Sequence, residues 1–180
     1  MPAESRPPRD GEVKPSAQVA KRARSRIDAR LAEVPIHLNA LRNAMAEIGE
    51  GFETEELEAA YASSDPHRLN HALALERGFE VLQNYIVELV VNGLILAGRR
   101  HEGERLDAPR DLRRAAEAGA ISPGRRDVLI RTQRIRNLFQ HEYTTATHEQ
   151  VHEAVTAIVA ELPGFVDDYA RWLDQLRAAS

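Results

Sequence analysis

The large apolar residues from Ile27 onward fall at Ile27, Leu31, Val34, Leu38, Leu41, Met45 and Ile48. Their steps alternate four and three, which is the seam of a helix that packs on other helices. Pro35 lies inside the seam and predicts a kink or a fresh helix start there, and Gly49 and Gly51 end the element. A short helix is expected from Thr54 to about Ala62. Ser64-Asp65-Pro66 then reads as an N-cap followed by proline at the first helical position. It opens the longest helix, to about Ala97, with Leu69, Leu73, Phe79, Leu82, Ile86, Leu89, Val90 and Leu94 along one broad stripe.

The stretch 98–109 is polar and has the composition of a mobile loop. A small helix is predicted from about Pro109 to Ala118, with Gly119 as its stop. Ser122-Pro123 repeats the cap-plus-proline signal and starts a further helix. Thr147 and Gln150 have capping-box spacing and start another, which turns Val151, Val155, Ile158 and Leu162 inward and ends at Pro163-Gly164. A last helix uses Phe165, Tyr169, Trp172, Leu173 and Leu176. No stretch alternates with period two and no segment repeats, so the expected fold is all-α, an antiparallel helical bundle.

Composition narrows the picture. A length of 180 residues suits one domain with a real core. Residues 1–16 hold four prolines and almost no large apolar side chains, so disorder is expected there. Lys21 to Arg30 is basic and helix-prone, a solvated helical face. The expected division is a disordered or partly helical extension over 1–26 and a bundle domain over 27–180. Asn84, Glu88 and Asn92 interrupt the most apolar segment, which argues against a membrane span. With no apolar signal core near the start, a cytoplasmic location is expected. The absence of cysteine excludes disulfides, thiolate zinc sites and cysteine nucleophiles. A net charge of -4 argues against general coating of nucleic acid. Between 125 and 143, however, five arginines face only Asp127 and Glu142.

That basic run ends in Arg136-Asn137-Leu138-Phe139-Gln140-His141-Glu142-Tyr143. It places a permanent cation, a titratable imidazole and a phenol close together, following helix-forming sequence. Arg136 and His141 are five residues apart, so at about 100° per residue they point about 140° away from each other on one helix. Arg136 aligns with Gln140 and Tyr143, while Asn137 shares a flank with His141. A straight helix cannot aim Arg136 and His141 at one phosphate. Either the helix breaks near His141, or two chains share the site across a two-fold axis.

The R-x4-H-x-Y pattern, with the helical pattern over roughly residues 28 to 176, resembles the HepT-like toxins of the HEPN superfamily of ribonucleases. The resemblance implies a homodimer with a composite cleft and a metal-independent endoribonuclease of a toxin–antitoxin pair, acting without a cofactor. Arg136 and His141 would be catalytic, with Asn137 and Gln140 in support. Arg125, Arg131 and Arg134 are the candidate RNA contacts. The chemistry needs a base for the 2′-hydroxyl proton, a cation for the pentacoordinate phosphorane and an acid for the leaving 5′-oxygen. Histidine supplies proton transfer near neutral pH, and the arginine fork matches phosphate oxygens. In the family, the motif tyrosine accepts AMP from a partner nucleotidyltransferase, which acts as antitoxin; here that residue is Tyr143. The chain departs from the pattern in its extension before Ile27 and in Gln140, where an apolar residue is usual.

Two alternatives stand beside this reading. One is a catalytically silent HEPN module that only docks a nucleotidyltransferase. The other is a zinc-dependent hydrolase, because His148-Glu149-Gln150-Val151-His152 satisfies H-E-x-x-H. Its context is poor. The pair occupies a first helical turn, Val155 and Ile158 stand where the extended form needs glycine and histidine, and Glu161 is the only conceivable third ligand.

Overall fold

The computed structural model describes residues 14–140 and 146–178. They form six helices: α1 (Ala17–Ile48), α2 (Thr54–Tyr61), α3 (Pro66–Leu96), α4 (Ala108–Glu117), α5 (Pro123–Gln140) and α6 (His148–Ala178). No strand occurs among the described residues.

The starts follow the capping chemistry. Asp65 accepts from the His67 N–H at 2.9 Å with Pro66 behind it, and Ser122 Oγ accepts from Arg125 N at 3.2 Å. At α6 the box closes in both directions: Gln150 N donates to Thr147 Oγ1 at 3.2 Å, and Thr147 N to Gln150 Oε1 at 3.0 Å. Gly119, just past α4, takes φ +79°, a conformation that costs a side-chain-bearing residue about 1 kcal/mol or more.

α1 and α3 run antiparallel, as the pairs Arg30–Glu88, His37–Tyr85 and Leu41 against Gly78 show. α5 and α6 are likewise antiparallel, with Arg131 near Glu153 and Arg125 near Glu161 and Asp168. The core lies between these pairs and is filled by Leu41, Phe79, Leu82, Leu89, Ile158, Phe165 and Tyr169. Burying each such side chain contributes on the order of 1.5–3 kcal/mol. Gly93 lets α6 come close: a Cβ there would lie 2.5 Å from the Tyr169 hydroxyl and 2.7 Å from the Trp172 ring. By length and composition α3 is apolar enough to cross a membrane, and most of that stretch is buried in the bundle.

Several expectations are corrected. The helix does not restart at Pro35: α1 is continuous from Ala17, so the basic stretch Lys21–Arg30 belongs to its early turns, where Ala23 and Ile27 are buried. Pro163-Gly164 does not end a helix either, since α6 runs through both. Both prolines are on the solvent side, where water can satisfy the carbonyl that loses its N–H partner. Gly164 forms a notch instead: the Arg125 guanidinium packs so closely that a Cβ there would lie 2.3 Å from Nη2. Leu73 is 48% exposed, and Ala72 and Leu75 carry that turn of α3 into the core.

The stretch 98–109 is anchored. Arg100 is 6% exposed and donates from Nη1 to both Asp111 carboxylate oxygens, at 2.7 and 2.8 Å. Its Nη2 donates to the Glu104 carbonyl at 2.8 Å, and Glu104 in turn pairs with Arg110 and Arg114. Burial pushes the Asp111 carboxyl up, with the Arg100 charge pulling against it.

Candidate functional site

α5 presents the motif, and two polar ties fix its crossing over α3. Leu129 and Ile130 are buried, and between them and the motif Thr132 accepts from Gln83 Nε2 of α3 at 2.8 Å. Thr132 Oγ1 also donates to the Leu129 carbonyl at 3.1 Å, so this buried hydroxyl is satisfied in both roles. One turn further along, Arg136 Nη2 donates to Asn84 Oδ1 of α3 at 2.7 Å. Arg136 Nη1 reaches Asn137 Oδ1 at 3.3 Å, and Gln133 Nε2 approaches the same oxygen at 3.4 Å. Arg136 is half-buried, and its guanidinium bridges from α5 to α3.

The predicted site residues therefore separate. Arg136 and Asn137 stand together near the end of α5, and Gln140 is its last residue. The expectations for His141 and Tyr143 lie outside the described residues. Arg134 and Arg131 are exposed on α5, the latter 3.4 Å from Glu153. Arg125 lies eleven residues before Arg136, about 16 Å along the axis. It is half-buried between Glu161, at 3.1 Å, and Asp168, so its charge is matched within the fold.

Asn84 is the residue that motif reasoning missed. Its only trace in the sequence is that it interrupts the most apolar helix.

The histidines of the H-E-x-x-H stretch are taken up separately. His148 stacks on Tyr61 at 4.9 Å between ring centroids, and His152 on Phe52 at 5.1 Å. His152 Nε2 also bonds the Phe52 carbonyl at 2.7 Å, across the joint between α1 and α2. Phe52 has φ +48°, a conformation that persists only where its surroundings fix it, and His152 is one such contact. Glu161 belongs to Arg125. Among the described residues, no three histidine or carboxylate side chains are grouped to hold a metal ion.

No family model, no curated protein and no solved structure matches this chain.

Proposed function

We propose that this chain is a metal-independent endoribonuclease, the toxin of a toxin–antitoxin pair. The observation that carries the reading is the placement of Arg136. It leads the R-x4-H-x-Y motif near the end of α5, with its guanidinium oriented by Asn84 of the neighbouring helix. A guanidinium so oriented is a preplaced cation for the phosphorane, and it needs little reorganisation when the charge develops.

In this reading the 2′-oxygen of the RNA, stripped of its proton, attacks the adjacent phosphorus. The P–O bond to the 5′-oxygen breaks, and that oxygen leaves with a proton. The products are a 2′,3′-cyclic phosphate and a 5′-hydroxyl. His141 moves the proton, Arg136 holds the phosphorane, and Asn137 supports Arg136. Arg131 and Arg134 lie on the exposed side of the same helix and suit the RNA backbone. A second copy of the chain completes the cleft, and a nucleotidyltransferase partner neutralises the protein by adding AMP to Tyr143. All of this is placed in the cytoplasm.

The test is cleavage of single-stranded RNA by the purified protein with EDTA present, and analysis of the product ends. Cyclic phosphate ends, lost on Arg136→Ala and His141→Ala, are expected. Loss of cleavage in EDTA, or products ending in a 3′-hydroxyl, would overturn the reading. A protein that binds a nucleotidyltransferase and leaves RNA intact would be the silent docking module.

A further inference from the structure

Where the start of α1 meets the ends of α3, α4 and α6, a cavity of about 470 Å³ opens. Its lining includes Lys14, Arg24 and Arg99, together with Leu96, Trp172 and Leu176. We propose that this cavity binds a small organic phosphate, a phosphate monoester with an apolar body, at a site separate from the motif. Trp172 also lies beside Ser122, and Arg136 is fourteen residues further on, about 20 Å along α5.

The cations around the cavity are uncommitted. Arg30, Arg100, Arg114 and Arg125 each pair with a carboxylate inside the fold. Among the described residues, the side chains of Lys14, Arg24 and Arg99 have no hydrogen bond or ion pair, and Asp28, one turn on from Arg24, forms none with it. Helix electrostatics do not explain the set. A cation just past α3, such as Arg99, offsets the helix dipole, but Lys14 stands before the N-terminus of α1, where a cation is disfavoured. A cleft lined by one sign of charge concentrates the opposite ion.

Trp172 adds a neutral donor. It is 5% exposed, and its six-membered ring packs toward Gly93, where a Cβ would lie 2.7 Å from Cζ3. Nε1 is on the opposite side of an indole from Cζ3, so the N–H points away from that contact. It has no partner among the described residues and is not sealed from solvent, whereas a buried indole N–H ordinarily finds a partner. The same ring walls a smaller cavity beside Ser122, but Asp168 lines that one and would repel an anion. Around the larger cavity every polar side chain is a donor, and none can accept a hydrogen bond. That pattern suits phosphate oxygens. Leu96, Leu176 and the indole ring supply an apolar wall, and the volume leaves room for more than a bare ion.

Trp172 is the one tryptophan of the chain, so its fluorescence reports on the cavity wall directly. The protein is titrated with n-hexyl phosphate, and separately with inorganic phosphate and with 1-hexanol, while emission and melting temperature are recorded. Hexyl phosphate should shift the emission saturably, raise the melting temperature and bind at least about tenfold more tightly than either half alone. Arg24→Gln and Arg99→Gln should each weaken it by about tenfold, the loss of one hydrogen bond to a charged group. Arg136→Ala should bind it as wild type does. No saturable response overturns the proposal. So do arginine variants that melt lower yet keep wild-type affinity, which would make these cations architectural. Loss of binding in Arg136→Ala would place the phosphate at the motif, and competitive displacement by single-stranded RNA would make the cavity part of an RNA groove; either outcome overturns the proposal as well.

Discussion

Arg100 and Arg136 are both held arginines, and the chain treats them in opposite ways. Arg100 is buried, shares one nitrogen between both oxygens of the buried Asp111, and ties a loop to α4. Arg136 is half-buried and is aimed by the amide oxygens of Asn84 and Asn137. A carboxylate cancels the charge it holds, whereas an amide only directs it. The first cation builds architecture, the second is the one for which we propose a role toward RNA, and each can be tested against the other.

The largest expected effect is on the ligand-directed side. Arg136→Ala and His141→Ala should each lower RNA cleavage by about 10²- to 10⁴-fold. Their unfolding free energies should stay within about 0.5 kcal/mol of wild type. A comparable loss of stability in Arg136→Ala would erase the contrast with Arg100. On the architectural side, Asp111→Ala strips the partner from a buried guanidinium and should cost about 3–5 kcal/mol in urea unfolding. Cleavage per folded molecule should remain near wild type.

Between these two regions lies the α3–α6 contact. Gly93→Ala forces a methyl against Tyr169 and Trp172 and should cost about 1–3 kcal/mol, read as a lowered melting temperature. The smallest effect is an alkaline one, at the end of α2. Burial, reinforced by the bond to Glu76, pushes the Tyr61 phenol well above its ordinary range. Below the ordinary value of about 10, both folded and unfolded chains keep the proton; above it the unfolded chain sheds it first. Stability should therefore fall as pH rises past about 10, and Tyr61→Phe should flatten that fall in pH-dependent unfolding.

Much of this was legible locally. The caps at Asp65, Ser122 and Thr147 each act over three residues or fewer, and all three begin helices as their spacing implies. The prolines were misleading because a sequence shows the missing N–H at Pro35 and Pro163 but not whether the deprived carbonyl faces water. Leu73 misleads for a similar reason: a broad stripe does not say where its edge lies. The Arg100–Asp111 pair leaves no trace in hydrophobic patterning, and a loop rich in charge reads as solvated even when its central arginine is buried. At the site, Arg136 and Asn137 were visible because the motif is contiguous. Asn84 was not, since only folding brings α3 beside α5.

The notch at Gly164 has a consequence for alignment. Helices that meet through apolar ridges alone can slip past one another at modest cost, because one greasy contact resembles the next. Arg125, seated over a residue without a side chain between Glu161 and Asp168, has no equivalent seat one residue up or down. A slip by a single residue would move α5 by about 1.5 Å. The same shift would be carried along the rigid helix to Arg136, and a misplacement of about 1 Å is enough to cost about 10²-fold in a reaction that depends on positioning. Arg125 thus acts as a setting pin: it sets the axial tolerance within which the far end of the helix works.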